Sequence, residues 1–188
     1  MVDTNDEWIR ERTGIRERRI ASNGETTGSL AVEASLKALD VANVEPKDLD
    51  LIIVATSTPE HIFPSTASLV QDRIGATDCG AFDLAAACTG FIYALTQAAQ
   101  SIQTGAINNV LVIGAETMSR IINWNDRSTC ILFGDGAGAF VLQGSEEPGG
   151  VLSSLLRSDG SGGDLLSVPA GGSSLPTSQQ TLEGDLHY

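Results

Sequence analysis

Cys88 closes one apolar run and opens another. Phe82-Asp83-Leu84-Ala85-Ala86-Ala87-Cys88-Thr89-Gly90-Phe91 is followed by Ile92, Leu95, Ala98, Ala99 and Ile102, one stripe at helix spacing. This pattern sets Cys88 at or near a helix N-terminus, directly after a strand. Unpaired N–H groups and the helix dipole stabilise negative charge there, so the position favours a thiolate nucleophile. The small residues before Cys88 leave room for a substrate or another chain segment to approach. Taken alone, this cysteine reads equally well as a small buried core residue.

Two other groups of residues invite a chemical reading. Arg10, Arg12, Arg16, Arg18 and Arg19 crowd the start of the chain, interspersed with Glu7, Glu11 and Glu17. Guanidinium groups match phosphate oxygens, but by composition alone a solvated charged face is favoured. Phe133-Gly134-Asp135-Gly136-Ala137-Gly138-Ala139 suggests a phosphate loop. Its spacing is G-x-G-x-G, a strand pattern follows, and no Lys-Ser/Thr ending is present, so neither the dinucleotide nor the P-loop signature is met. It predicts a tight turn where two backbones approach closely, with Asp135 satisfying N–H groups of that turn.

Composition bounds the rest. The chain has 188 residues, enough for a substantial core and one domain or a little more. A formal net charge of −13 argues against general nucleic-acid binding, which needs a basic footprint. No apolar run reaches the length of a membrane span and no signal-peptide segment opens the chain, so a cytoplasmic protein without membrane contact is expected. Cys79, Cys88 and Cys130 lack paired-ligand spacing, and His61 and His187 stand far apart, which argues against a disulfide framework and a metal site.

The elements that must position these residues alternate. The patterns predict helices over Asp3–Arg12 (stopped by Gly14), Gly28–Leu39, Ser65–Ile74 (stopped by Gly75) and about Cys88 to Gln103. They predict strands over Leu51–Thr56, Gly80–Ala86, Val110–Gly114, Ala137–Leu142 and Val151–Leu156, and a loop over Ser158–Ser174. Helices between buried strands indicate an α/β sheet with parallel pairings.

Several motifs in register resemble those of 3-oxoacyl-[acyl-carrier-protein] synthase III, a condensing-enzyme family of the thiolase-like superfamily. They are Val2-Asp3-Thr4-Asn5-Asp6-Glu7-Trp8-Ile9, Arg12-Thr13-Gly14-Ile15-Arg16-Glu17-Arg18, Phe63-Pro64-Ser65, the segment around Cys88, Asp126-Arg127 and the glycine-rich segment after Phe133. The resemblance implies a thiolase-like α/β fold: the N-terminal αβα half of a five-layer αβαβα core, with a mixed, mostly parallel sheet. It implies a domain over 1–145 that lacks the family's first strand, and over 146–188 a connection into a truncated second half. The chain is therefore expected to be a fragment of rather more than half an enzyme.

The resemblance also implies roles. Cys88 is the nucleophile that takes an acyl group from acyl-CoA, with acetyl-CoA the expected primer. A decarboxylative Claisen condensation with malonyl-acyl carrier protein then gives a 3-oxoacyl product and CO2. Trp8 and Arg127 sandwich the CoA adenine, and Thr4 and Arg12 lie near the same entrance. Phe63 reaches across a homodimer interface toward the partner's acyl pocket, and Phe133 lies near the nucleophile. For these two an ordinary core or interface aromatic competes. No metal or cofactor is called for, the CoA thioester being a substrate. The family's active-site histidine and asparagine belong to motifs that do not occur in this sequence. Alternatives are another thiolase-like ketosynthase, of long-chain or secondary metabolism, an inactive subunit completing a dimer, or a cysteine hydrolase, which would need a histidine base.

Overall fold

The computed structural model describes residues 2–147 and 149–188. Its helices are α1 Asp6–Thr13, α2 Thr27–Ala42, α3 Thr66–Ile74, α4 Gly90–Gln103, α5 Arg127–Cys130 and α6 Gln179–Glu183. Its strands are β1 Leu51–Ala55, β2 Gly80–Leu84, β3 Asn109–Thr117 and β4 Asp135–Gln143. The residues group into two compact units. One joins the chain up to Arg19 with Met118–Gly134 and Leu156–Tyr188; the other joins Ile20–Thr117 with Asp135–Leu155. The boundary expected at residues 145–146 falls inside the latter.

The larger unit holds a four-stranded sheet in the order β2-β1-β3-β4. β1 runs parallel to β2 and β3, with Ile53 opposite Phe82 and Val112, and β4 is antiparallel to β3. Successive side chains of a strand point to opposite faces. Ile52, Val54, Leu111 and Ile113 accordingly pack with Ala31 and Leu39 of α2 and Ala67, Val70 and Ile74 of α3. Ile53, Ala55, Val110 and Val112 pack with Ala94 and Ala98 of α4 on the other face. Both faces are covered, which is why β1 and the middle of β3 read as continuous apolar runs. The result is the three-layer αβα arrangement with a mostly parallel sheet.

The helix punctuation works as local chemistry dictates. Thr26 and Ser29 form a reciprocal capping box on α2, and Ser65 caps α3. Gly14 and Gly75 end α1 and α3 in the left-handed conformation, φ 74° and 78°.

Three expectations need correction. Val151–Leu156 forms no strand: no described strand offers its backbone a ladder, and Leu152 and Leu155 are 87% and 70% exposed. The 158–174 segment is not wholly irregular, since Gly160–Leu165 forms 3₁₀ turns begun by Asp159, whose carboxylate accepts from the Ser161 N–H. The glycine-rich segment is no turn, because Asp135 to Ala139 lie within β4. Its close approach falls at Gly134, where a Cβ would sit 3.0 Å from the Arg19 carbonyl oxygen. Asp135 binds an N–H, but that of Ala21, at 2.7 Å.

No helix among the described residues is long and apolar enough to cross a membrane.

Candidate functional site

The chain leaves β2 through Ala85 and Ala86 and turns sharply at Ala87, whose φ of 44° lies in the left-handed region. For a residue with a Cβ this costs about 1–2 kcal/mol. Cys88 sits inside the 3₁₀ turn Ala87–Thr89 that leads into α4, so the helix expected from Cys88 begins properly two residues later, at Gly90. The Thr89 N–H and hydroxyl both donate to the Ala86 carbonyl, at 3.2 and 2.9 Å. Gly90 lets the helix start rest on the strand ends, since a Cβ there would already touch the Ala55 Cβ at 3.4 Å. Thr89 provides no side-chain cap for α4, and the first N–H of the helix, that of Gly90, donates to the Ala87 carbonyl of the preceding turn. Cys88 is exposed while Cys130 is buried, so the core-residue reading fits Cys130 and not Cys88. Burial pushes the Cys79 thiol above its ordinary value.

The neighbouring strand exit carries Phe63. β1 and β2 are parallel neighbours, so the segment after β1 and the Cys88 turn leave the same edge of the sheet, where α/β folds place their sites. The segment after β1 is pinned at several points. Glu116 at the end of β3 accepts from the Ser57 N–H, at 2.7 Å, and from the Thr58 hydroxyl. The Thr58 oxygen accepts from the Thr117 N–H at 2.8 Å. Glu60 accepts from the Thr26 hydroxyl at 2.9 Å and pairs with Arg73 at 2.7 Å. Gly28 makes this possible, because a Cβ there would lie 1.8 Å from a Glu60 carboxylate oxygen. Finally Asp83 of β2 accepts from the N–H groups of Thr66 and Ala67, both at 2.7 Å. Between these anchors Ile62 and Phe63 stand 92% and 84% exposed.

The Arg73 hydrogen bond, with that of Thr26, holds the Glu60 carboxyl below the usual carboxylate range against an opposing effect of burial. A depressed carboxylate contributes stability that is present above its unfolded value and lost as pH falls through the folded one. Glu60→Gln should thus flatten the acid limb of stability below the ordinary carboxylate range and lower stability at neutral pH, read by thermal unfolding at a series of pH values. An unchanged acid limb would contradict it.

The smaller unit assembles the aromatic–arginine group. Asn5 caps α1 by accepting from the Trp8 N–H at 2.8 Å. Ile9, Ile122, Cys130 and Ile131 form a small core, with Trp8 and Phe133 packed against it. Asp126 caps α5; hydrogen bonds from the Ser128 and Thr129 hydroxyls hold its carboxyl below the usual range. That cap fixes Arg127, whose guanidinium carbon lies 4.8 Å from the Trp8 ring centre, with that of Arg12 at 4.5 Å. Arg127 also donates to the Asp3 carbonyl at 2.9 Å. The Thr4 hydroxyl oxygen is shielded from solvent and has no hydrogen-bond partner among the described residues.

Of the candidate residues, the structure brings Trp8, Arg12 and Arg127 into direct contact and sets Phe133 against the same small core. Cys88 and Phe63 belong to the other unit. His61 lies on the exposed segment before Phe63, and His187 is engaged by the Thr181 hydroxyl at 3.0 Å. Asp83, Glu116 and Glu60 escaped the sequence reading. Asp83 alone left a signal there, as a carboxylate in an otherwise apolar strand.

Comparison with known proteins agrees with this geometry. The model of the family described as 3-oxoacyl-[acyl-carrier-protein (ACP)] synthase III matches residues 82–160. The beta-ketoacyl-[acyl-carrier-protein] synthase III of Caldanaerobacter subterraneus subsp. tengcongensis is 58% identical over 100% of this chain and 56% of its own length. The crystal structure of 3-oxoacyl-[acyl-carrier-protein] synthase III from Aquifex aeolicus superposes with a TM-score of 0.76 at 57% identity, over 78% of this chain and 47% of that one. The corresponding structure from Thermus thermophilus gives 0.82 at 47% identity, over 87% and 51%. The chain spans about half the length of the curated relatives it matches. Motifs, fold and identity along its whole length agree, and over the part of these relatives that it spans the chain is similar to the 3-oxoacyl-[acyl-carrier-protein] synthase III family.

Proposed function

We propose that the protein carrying this chain is an initiating condensing enzyme, an acyltransferase that works through Cys88. The observation that carries this reading is the exposed Cys88 on a strained strand-to-helix turn that leads into α4. The Cys88 sulfur attacks the thioester carbonyl of acyl-CoA, the carbon–sulfur bond to CoA breaks, and CoA leaves as the thiol. The Cys88 N–H can donate to the oxyanion that forms on the way. Malonyl-acyl carrier protein then loses CO2. The electron pair released attacks the acyl carbon, and the bond to Cys88 breaks to free 3-oxoacyl-acyl carrier protein. The histidine and asparagine that assist this second step in the family have no counterpart motif in these 188 residues, so the chain's own share is the acyl transfer. The reaction draws on thioester substrates and asks for no metal or organic cofactor.

The Trp8–Arg12–Arg127 stack is the proposed adenine site, with Thr4 at its edge. Both guanidinium groups already lie on the indole, so a purine must displace one of them. Trp8→Ala should raise KM for acyl-CoA about ten- to hundredfold, the usual worth of a base on an aromatic face, with a smaller change in kcat. An unchanged KM would remove Trp8 from the site.

A homodimer fits the same reading. β2 is a sheet edge, and Phe63 is an exposed apolar tip on a segment anchored on both sides, suited to enter a partner's pocket. Phe133 as a wall of the acyl pocket rests on the resemblance alone. The protein is placed in the cytoplasm.

The test is intact-protein mass after incubation of the full reading frame with acetyl-CoA, then with malonyl-acyl carrier protein. One acetyl group should appear and then leave as the 3-oxoacyl product. An adduct from long-chain acyl-CoA only would favour a long-chain ketosynthase, and no adduct from any acyl-CoA would overturn the proposal.

A further inference from the structure

We propose that Asp83 is a positioning residue for Cys88: its carboxylate straps the end of β2 to the start of α3 and thereby holds Ala87 in the conformation that presents the thiol. The inference rests on reading Cys88 as the nucleophile and adds a residue that acts on it from behind.

Asp83 breaks the pattern of its strand. Ala81, two residues earlier on the same side, packs against the core that β1, α2 and α3 share. The next position on that side should also be apolar, and a carboxylate there is costly unless fully hydrogen-bonded. Asp83 meets that condition with two short bonds, to the N–H groups of Thr66 and Ala67, two wholly buried residues. The local cap does not reach these donors: Ser65 accepts from the Ser68 N–H at 3.2 Å, and Asp83 takes the two first-turn N–H groups that it leaves. The first turn of α3 is thus held by its own cap and by a second strap from another element. Departures from local rules of this kind gather at functional sites.

The strap lies where strain must be contained. Asp83 precedes Ala87 by only four residues, and Ala87 keeps its left-handed φ of 44° only if both sides of the turn are fixed. On the downstream side Gly90 seats α4 on Ala55 and Leu84. On the upstream side β2 is an edge strand, hydrogen-bonded to β1 alone. The Asp83 bonds supply the second hold. Without them the end of β2 can shift, Ala87 relaxes to an ordinary conformation, and the Cys88 side chain turns away from the start of α4.

The test is a double-mutant cycle in the full reading frame, read by the rate at which iodoacetamide alkylates Cys88, followed on the Cys88 peptide. Asp83→Asn should slow alkylation about fivefold or more, the size expected of directly coupled residues. Ala87→Gly removes the strain, since glycine adopts this φ freely, so Asp83→Asn should change the rate little in that background. Equal slowing in both backgrounds would make Asp83 an ordinary stabilising residue and overturn the proposal, as would no slowing at all. If Asp83→Asn does not fold, hydrogen exchange decides on the unaltered protein. Alkylating Cys88 should change exchange at the Thr66 and Ala67 amides, and unchanged exchange there overturns the coupling. Iodoacetamide needs no CoA site. A cycle that behaves as expected in a protein that no acyl-CoA acylates would sink the proposed function and leave this coupling standing. Normal acylation with an additive cycle would do the reverse.

Discussion

Cys88→Ala should abolish the acyl adduct completely while leaving the protein folded. The two halves of this result have separate physical causes. The adduct is a bond to one sulfur atom, and no neighbouring group can take over as acyl acceptor with comparable nucleophilicity. The fold should survive because Cys88 is exposed, so its sulfur fills no cavity, and substitutions at such surface positions usually stay within about 0.5 kcal/mol. Cys79→Ala and Cys130→Ala are the informative controls. The Cys79 thiol is pushed up by burial, and Cys130 lies in the small core with Ile9 and Ile131. Both variants should still acquire one acyl group, Cys130→Ala at a modest loss of stability. Mass spectrometry of the intact proteins after exposure to acetyl-CoA reads all three. An acylated Cys88→Ala protein would sink the nucleophile assignment.

The 188-residue chain expressed by itself should self-associate rather than run as a monomer. A groove of about 750 Å³ lies open between α4 and β4, lined by Leu95, Ile102, Phe140, Leu142 and Val151 among others. Both sheet edges, β2 and β4, are free of further strands among the described residues. Leu152, Leu155, Ile62 and Phe63 add large side chains that are at least 70% exposed. Free edges and apolar patches on this scale are what folded proteins bury or blunt. The high net charge of −13 opposes association but acts over a screened range, whereas the apolar contacts do not weaken with salt. Gel filtration should therefore show species well above the monomer, growing as salt is raised. Ile62→Lys with Leu152→Lys and Leu155→Lys should shift them toward monomer. A sharp monomer peak for the unaltered chain at high salt would contradict this.

Much of the fold is legible in local pattern because each signal has a local cause. Gly14 and Gly75 stop helices since the left-handed cap suits glycine, and the buried strands β1 and β3 announce themselves by unbroken apolar runs. Val151–Leu156 shows where this fails. Its composition suits a strand, but a strand exists only with a partner, and partnership is not a local property. The glycine-rich segment fails for a related reason. Its glycines suggest a turn, while pairing with β3 extends them into β4 and leaves the close approach to Gly134.

The chemistry of the site divides the same way. Residue types and spacing determined the nucleophile candidate and the motifs of the family resemblance, and that resemblance implied the roles of Trp8 and Arg127, because reactive groups must be present in kind before they can be placed. Only the tertiary structure decided that Cys88 is exposed while Cys130 is buried, that Ala87 bears the strain of the turn, and that Arg12 and Arg127 both lie on Trp8. Only it showed that Glu116, Glu60 and Asp83 hold the segment around Phe63. Each of these rests on groups far apart in the chain, such as Asp83 and Thr66 or Trp8 and Arg127. Their meeting is set by how the sheet and helices pack, which no local stretch of sequence encodes.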